Sequence, residues 1–401
     1  MRILFLAHLF PLPLDSGGKI KSFYTLKALA ARHEVKLLAF VRNKQETALI
    51  PELGKLCAGV DIVPLERGKV RQVLDLFDSM ARGRSFIINR DFRADMLQAV
   101  RKLIKEFAPD VIHIDHLQMA QFVDFDGQYR VILDNHNVES MIIRRVSETS
   151  ESKLIRLYAG LEWPKLQKYE FDICQRSDLV LTVSEEDKAV LQGMLNQVQH
   201  DMTNVECVPI GADIHHLQPV DRAPGSRNIL SIGTMYWPPN VDSMLYFCRE
   251  IMPKVKHEIN NCTLTIAGQR PVDSIQALAR DPAINVTGYV DDEREVAKDC
   301  GVFIVPLRSG SGVRVKVLNA LAMALPVVST SIGAEGLDVV SGEHLLIADS
   351  PEDFAKAVVR LLRDPELANQ LGKNGRELVC EKYSWEKVGE RLLSLYDARL
   401  T

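Results

Sequence analysis

The sequence predicts an α/β protein with two doubly wound domains, and three observations predict it. Short β-branched runs alternate with amphipathic helical stretches along all 401 residues, the pattern of parallel sheets with helical crossovers. The alternation pauses at 211–227 (GADIHHLQPVDRAPGSR), which is rich in turn formers, lacks periodicity and reads as the domain linker. Both halves open alike: an apolar strand, a polar or glycine-bearing loop, then a helix. No sequence repeat accompanies this likeness, so it is architectural.

In the first half, strands are expected at 2–7, 34–40, 60–64, 111–114, 131–134, 179–183 and 205–209, with a helix at 22–32. In the second half, strands are expected at 228–232, 263–267, 284–287, 302–305, 326–329 and 344–348, and helices at 240–256, 315–324, 351–363 and 365–381. The last stretch, 384–400, carries Val388, Leu392, Leu393 and Tyr396 at helical spacing. Such a helix either closes the second domain or crosses back to the first.

A length of 401 residues suits two domains, and 46% apolar with 25% charged residues is the composition of a soluble globular protein. A formal net charge of −4 argues against a protein whose main work is gripping nucleic acid, which needs a dense basic field. The opening MRILFLAHLFPLPL is interrupted by His8, Pro11 and Pro13 and reads as a buried strand and loop rather than an export signal. No apolar run approaches the roughly 18–20 residues that span a bilayer. The seven cysteines form no CxxC and no metal-ligand spacing, which suits reduced thiols and a cytoplasmic location. Between 67 and 105, Arg71, Arg82, Arg84, Arg90, Arg93, Arg101 and Lys102 alternate with apolar Leu74, Phe77, Phe86, Ile87 and Ile88. That stretch is either a peripheral contact with anionic lipid at the inner face of a membrane or a solvated helix pair.

In open α/β sheets, ligands bind beyond the carboxyl ends of the strands, and three loops stand out there. Asp15-Ser16-Gly17-Gly18-Lys19 follows the first strand. It lacks both dinucleotide and P-loop spacing, so a plain turn and a ligand loop are equal readings. Asp134–Glu139 (DNHNVE) places His136 after an apolar strand, as a phosphate or sugar-hydroxyl donor or as a helix-capping histidine. His113, Asp115 and His116 end another strand and read as supporting residues.

The third loop is the most informative. In 306–320 (PLRSGSGVRVKVLNA) a strand ends, Gly310, Ser311 and Gly312 turn the chain, and a helix starts with Arg314 and Lys316 in its first turn. Cations there oppose the helix dipole at a cost of some tenths of a kcal/mol each. An anion over that terminus reverses the sign and adds charge-assisted hydrogen bonds. A phosphate-binding helix start, with Val313 packed beside the cations, is therefore preferred over a solvated basic face. Asp291-Asp292 imitates a metal pair and reads better as a helix cap.

These segments resemble a known family. DNHNVES, RSDLVLTVSEED, VPIGADIHHLQP, GTMYWPPN, GYVDD, PLRSGSGVRVKVLNALAMALPVVSTSIGAEGL and YSWEKV are similar to the retaining glycosyltransferases of family four, notably bacterial polysaccharide and exopolysaccharide sugar transferases. The resemblance implies the GT-B fold: two Rossmann-like domains facing a cleft, spanning 1–215 and 222–383, with 384–401 returning to the first. It implies a nucleoside-diphosphate-sugar donor on the second domain, no cofactor or metal beyond that co-substrate, and a glycan, lipid-linked or small-molecule acceptor on the first. By motif match, His136 touches the donor sugar or phosphate. Gly17 and Gly18 approach the reaction centre, Gly233 the phosphates and Tyr289 the base.

One departure stands out. Many family members carry two glutamates with seven residues between them, where this chain has Ser311 and Asn319. The usual Arg and Lys after the first strand of the second domain are also missing from GTMYWPPN. Arg314 and Lys316 are expected to neutralise the diphosphate instead, with Ser311, Gly312, Val313 and Asn319 completing the donor site. The expected chemistry is metal-independent transfer with retention. A GT-B sugar-nucleotide epimerase and a catalytically degenerate binding protein are the rivals.

Overall fold

The computed structural model describes residues 1–66, 68, 75–79, 82–150, 152–196, 204–310 and 312–400. The chain divides into two compact units: 1–209 together with 389–401, and 210–388.

In the first unit, strands β1 (Arg2–Ala7), β2 (Glu34–Val41), β3 (Gly59–Pro64), β4 (Val111–Asp115), β5 (Arg130–Asp134), β6 (Leu179–Thr182) and β7 (Val205–Cys207) form a parallel sheet. Their order is β3-β2-β1-β4-β5-β6-β7. The chain order reverses direction between β1 and β4, the crevice where doubly wound sheets bind ligands. Nearly every residue of β1, β4 and β5 is buried, as expected for strands covered by helices on both faces. Helices α1 (Gly17–Ala30), α2 (Ala94–Phe107), α3 (Glu139–Thr149), α4 (Lys153–Arg176) and α5 (Glu185–Asn196) accompany the sheet.

The second unit repeats the plan with β8 (Asn228–Ile232), β9 (Thr263–Ala267), β10 (Ile284–Gly288), β11 (Cys300–Val305), β12 (Val327–Ser329) and β13 (Leu346–Ile347). Their order is β10-β9-β8-β11-β12-β13, so the reversal falls between β8 and β11. Helices α6 (Pro238–Tyr246), α7 (Glu293–Ala297), α8 (Val315–Ala322), α9 (Pro351–Arg363) and α10 (Pro365–Leu378) follow. Leu264, Ile266, Val302 and Ile304 are packed in its core with Phe247 and Phe354.

The strands fall within a residue or two of the expected positions, whereas helix starts and ends differ. α1 begins at Gly17, five residues before the expected start at 22, so Gly17, Gly18 and Lys19 form its first turn rather than a loop. The helix expected at 240–256 is interrupted by a widened π-helical turn at Phe247–Ile251. Pro253 lies just beyond it and has no N–H to continue the ladder, which accounts for the turn there.

The final helix, α11 (Trp385–Leu400), begins in the second unit, and from Gly389 onward it belongs to the first. Tyr396 is fully buried, and its hydroxyl lies 2.6 Å from His113 Nδ1. That contact ties the last turns of the chain to β4. No helix among the described residues is long and apolar enough to cross a membrane.

Within the basic stretch at 67–105 the described residues divide: Phe77 is 66% exposed, while others pack inward. Ile87 and Ile88 are in the core, and Arg93 is buried with its guanidinium on the carbonyls of Glu66, Arg90 and Phe92. Arg71 and Leu74 lie outside the described residues.

Candidate active site

The second unit gathers its glycines at the carboxyl edge of the sheet. Gly233, Gly268 and Gly288 follow or end the neighbouring strands β8, β9 and β10. Gly233 N–H donates to Ala267 O at 3.0 Å, and Gly268 N–H to Gly288 O at 2.8 Å. Gly268 has φ +152, and a Cβ on it would fall 1.6 Å from Gly233 O, so only glycine fits. The result is a tight glycine-lined floor of backbone, flanked by the side chains of Met235, Asn240 and Lys316.

Lys316 reaches this floor from the first turn of α8. A Cβ on Gly233 would stand 3.1 Å from Lys316 Nζ, which places the predicted glycine and the predicted cation side by side. Lys316 Nζ donates to Asn240 Oδ1 at 2.7 Å, and Asn240 Nδ2 donates to Thr234 O at 3.1 Å, so the GTMYWPPN loop aims the ammonium. Burial, helped by nearby Arg314, pushes the Lys316 pKa from 10.5 down to about 8.

Arg314 is the N-cap residue of α8, and its side chain curls into its own turn. Nη1 donates to Gly312 O at 2.6 Å, and Nη2 lies 3.7 Å from Glu335 Oε2. Gly310 (φ +140) and Gly312 (φ +73) wrap the guanidinium, and a Cβ on Gly310 would stand 2.7 Å from Nη2. The glycines of this segment therefore make room for Arg314 itself. Val313 is buried beside it, and Ser311 lies outside the described residues.

Asn319, one turn along α8, donates to Glu293 Oε2 at 3.2 Å. Burial raises the Glu293 pKa, and the Asn319 amide and His216 oppose the rise. A carboxylate thus stands beside the position where the motif lacks one, supplied by α7. Tyr289 is 69% exposed on the loop after β10, two strands from Gly233, with a face open to a flat ligand. Asp292 caps α7, accepts from Arg294 N–H, and pairs with the Arg294 guanidinium at 2.6 Å. The helix-cap reading of that aspartate is the observed one.

The first unit holds a buried charged cluster at the ends of β1, β4 and β5. Asp115, fully buried, accepts from His136 Nε2 at 2.9 Å, from His116 Nδ1 at 3.0 Å and from Ser22 Oγ at 2.7 Å. The two imidazoles lie against each other with centroids 3.8 Å apart and planes tilted by 35°. Asp134 is paired with the buried Lys21 ammonium and lies 3.7 Å from His113 Nε2. Burial alone would raise both aspartates. The two histidines hold Asp115 well below the usual range, and Lys21 with the neighbouring histidines does the same for Asp134.

The pKa values of these two histidines are pushed apart. Burial, then the positive neighbours His116 and Lys21, lowers His136 to about 4. For His116, burial is outweighed by Asp115, Glu139 and Asp134, and its pKa rises. As pH falls the pair therefore takes up its first proton on His116, because two cations cannot share this contact. His136 is then a neutral ring with Nδ1 buried and without a hydrogen-bond partner.

His116 is the residue that sequence reasoning undervalued. It follows β4 at φ +78, a conformation that non-glycine residues seldom adopt. A Cβ on Gly18 would stand 3.1 Å from Leu9 Cδ1 and at an ordinary contact distance, 3.4 Å, from His116 Nε2, so the first turn of α1 lies beside this ring. Glu170 of α4 was equally hidden. It accepts from Asn135 Nδ2, Glu139 N–H and Ser140 N–H and Oγ at 2.5–3.2 Å, and so holds the loop that carries His136. The donor atoms of Asp115, His116 and His136 lie within 4.8 Å of one another, a spacing a metal ion could share. In this structure the carboxylate spends both oxygens on the imidazoles.

Comparison with known proteins bears on both units. Residues 226–364 match the family model described as Glycosyl transferases group 1. Over 94% of its length the chain is 23% identical to an uncharacterised 44.6 kDa protein of the cps region of Klebsiella pneumoniae, covering 95% of that protein. It is 29% identical to the capsular polysaccharide biosynthesis glycosyltransferase CapM of Staphylococcus aureus, over 31% of this chain and 33% of that one. Among solved structures, sucrose-phosphate synthase from Thermosynechococcus elongatus superposes with a TM-score of 0.70 at 16% identity, covering 99% of each chain. Anabaena HepE in complex with UDP superposes with a TM-score of 0.69 at 11% identity, covering 99% of this chain and 100% of that one.

Proposed function

We propose, starting from a chain that is a glycosyltransferase of group 1 with the GT-B fold, that it moves a sugar from a nucleoside-diphosphate sugar to an acceptor hydroxyl with retention of configuration. The observation that carries the donor assignment is Lys316 set against the glycine floor at Gly233. A glycine-lined backbone surface, an ammonium and the N-terminus of α8 lie close together, and a diphosphate is the ligand that satisfies all three.

In this reading, Lys316 and the N–H groups at the start of α8 stabilise the negative charge that grows on the departing diphosphate. Arg314 shapes the turn and adds its field, and these cations do the work a metal does elsewhere. Glu293 and Asn319 take the ribose hydroxyls, and Tyr289 covers the base. His136 holds the donor sugar, and His116, the first of the pair to take up a proton, donates to an oxygen. HepE was solved with UDP, which makes a uridine donor the first to try. The acceptor is a glycan, lipid-linked or small-molecule hydroxyl, and the working place is the cytoplasm, in peripheral contact with the membrane.

A screen of purified protein against nucleotide sugars, read by release of nucleoside diphosphate and by the anomeric configuration of the product, tests the proposal. One donor is expected to turn over with retention, and Arg314→Glu to abolish turnover while the circular-dichroism melt is kept. An inverted product, an epimerised donor, or full activity in Arg314→Glu overturns it.

A further inference from the structure

Among the described residues of the first unit, the first half of α4 carries the most closely spaced group of exposed large apolar side chains. Leu154, Ile155, Leu157, Tyr158 and Leu161 are 80%, 51%, 64%, 38% and 59% exposed. Leu154, Leu157, Tyr158 and Leu161 recur at three- and four-residue spacing, so they form one stripe along the helix. The opposite face is the anchored one. Ala159, Glu162 and Leu166 are buried, and Glu162 accepts from Ser85 Oγ at 2.6 Å and from Ile87 N–H at 3.1 Å. Folding thus fixes this helix with its leucines outward, where a solvated surface would carry polar side chains.

The exposed charges on this segment of the helix have one sign. Lys153, Arg156, Lys165 and Lys168 lie on the same helix segment, and its single acid between 152 and 168 is the buried Glu162. Lys165 and Lys168 also line, with Arg84 and Arg82, a cavity of about 560 Å³ beside the helix. Asp172 and Asp78 are the acids there, and Asp78 is already paired with Arg82 at 2.7 Å. Aliphatic side chains with a tyrosine at the flank and a collar of long cations match a lipid surface. The apolar crest enters the acyl boundary while the ammonium and guanidinium groups meet the phosphates.

We infer that this face of α4 docks the protein on an anionic bilayer. A second copy of the chain fits less well, because a two-fold contact through the stripe would bring the cations of this helix segment towards the cations of the other copy. The inference rests on the membrane-peripheral reading above and moves the contact from 67–105 to α4. It also favours a lipid-borne acceptor over a freely soluble one.

The test is co-sedimentation of the full chain with phosphatidylcholine vesicles with and without about 30% phosphatidylglycerol, at low and high salt. Partitioning is expected to be about tenfold higher on the anionic vesicles at low salt. It should fall about tenfold in Leu157→Asp/Leu161→Asp, and Arg156→Glu/Lys168→Glu should lose the salt dependence. Pelleting that the leucine substitutions leave unchanged, or no pelleting at low salt, overturns the inference. So does a dimer, seen by sedimentation without vesicles, that the leucine substitutions dissociate. Circular-dichroism melts confirm that the outward substitutions keep the fold. Nucleoside-diphosphate release from a soluble donor should stay within about twofold of the parent, so failure of docking and failure of the transferase reading are separable.

Discussion

Asn319 Nδ2 donates to Glu293 Oε2 across 3.2 Å, so a helix position without a carboxylate has one beside it from a different helix. The amide and the acid present one joined edge, able to accept from and donate to a pair of hydroxyls.

Glu293→Gln is therefore expected to raise the donor KM about tenfold with little change in kcat, since charge-assisted bonds of this kind contribute about 1.5–3 kcal/mol. Burial raises the Glu293 pKa, so donor binding should also weaken towards acid pH, as the carboxyl takes up its proton and loses its charge. Steady-state kinetics across a pH series measures both effects. An unchanged KM would remove Glu293 from the donor site.

Lys316 sets the alkaline limit. With its pKa at about 8, the free protein loses the ammonium at a pH where an exposed lysine keeps it. kcat/KM should fall above pH 8, and Lys316→Ala should cost about 10–100-fold at neutral pH while flattening that limb. The stability sign is opposite. Between pH 8 and 10.5 the unfolded chain binds more protons at this residue than the folded one, so this group's contribution to stability rises with pH. A rate profile flat to pH 10 would contradict the assignment.

The adjacent histidines should titrate apart. By proton NMR, the His116 midpoint is expected above 6.5 and the His136 midpoint near 4. The His116 contribution to stability is fully present below pH 6.5 and is lost as pH rises through its folded pKa. The neutral His136 contributes stability that is lost as pH falls from 6.5 to about 4, where the unfolded chain is already protonated. Asp115→Asn should drop the His116 midpoint and slow transfer about 10–100-fold, because His116 would take up its proton less readily. Coincident midpoints in the parent protein would refute the division of roles.

Much of this was legible before any coordinate. The alternation of strand and helix announced two parallel sheets, because buried parallel strands are continuous apolar runs. Arg314, Lys316, Gly233 and His136 stood out because each follows a strand, and a doubly wound sheet presents its strand ends to ligands. Gly18 was noticed as part of a loop; it lies in the first turn of α1, beside a histidine ring 98 residues away in sequence. Glu293 and Glu170 gave no such signal, and His116, at a strand end, was read only as a supporting residue. Glu293 and Glu170 act through partners distant in sequence, and a pattern read along the chain does not record which residues meet.

The sequence by itself determined the order of elements, the two domains and the cationic start of α8. These depend on local periodicity, turn chemistry and the placing of charge within one segment. Only the tertiary structure decided which carboxylate stands beside Asn319 and which histidine of the adjacent pair takes the first proton. It also decided that the last helix returns to β4 through Tyr396. Those outcomes follow from burial and from distances between groups far apart in the chain, and such distances exist only once the sheets have formed.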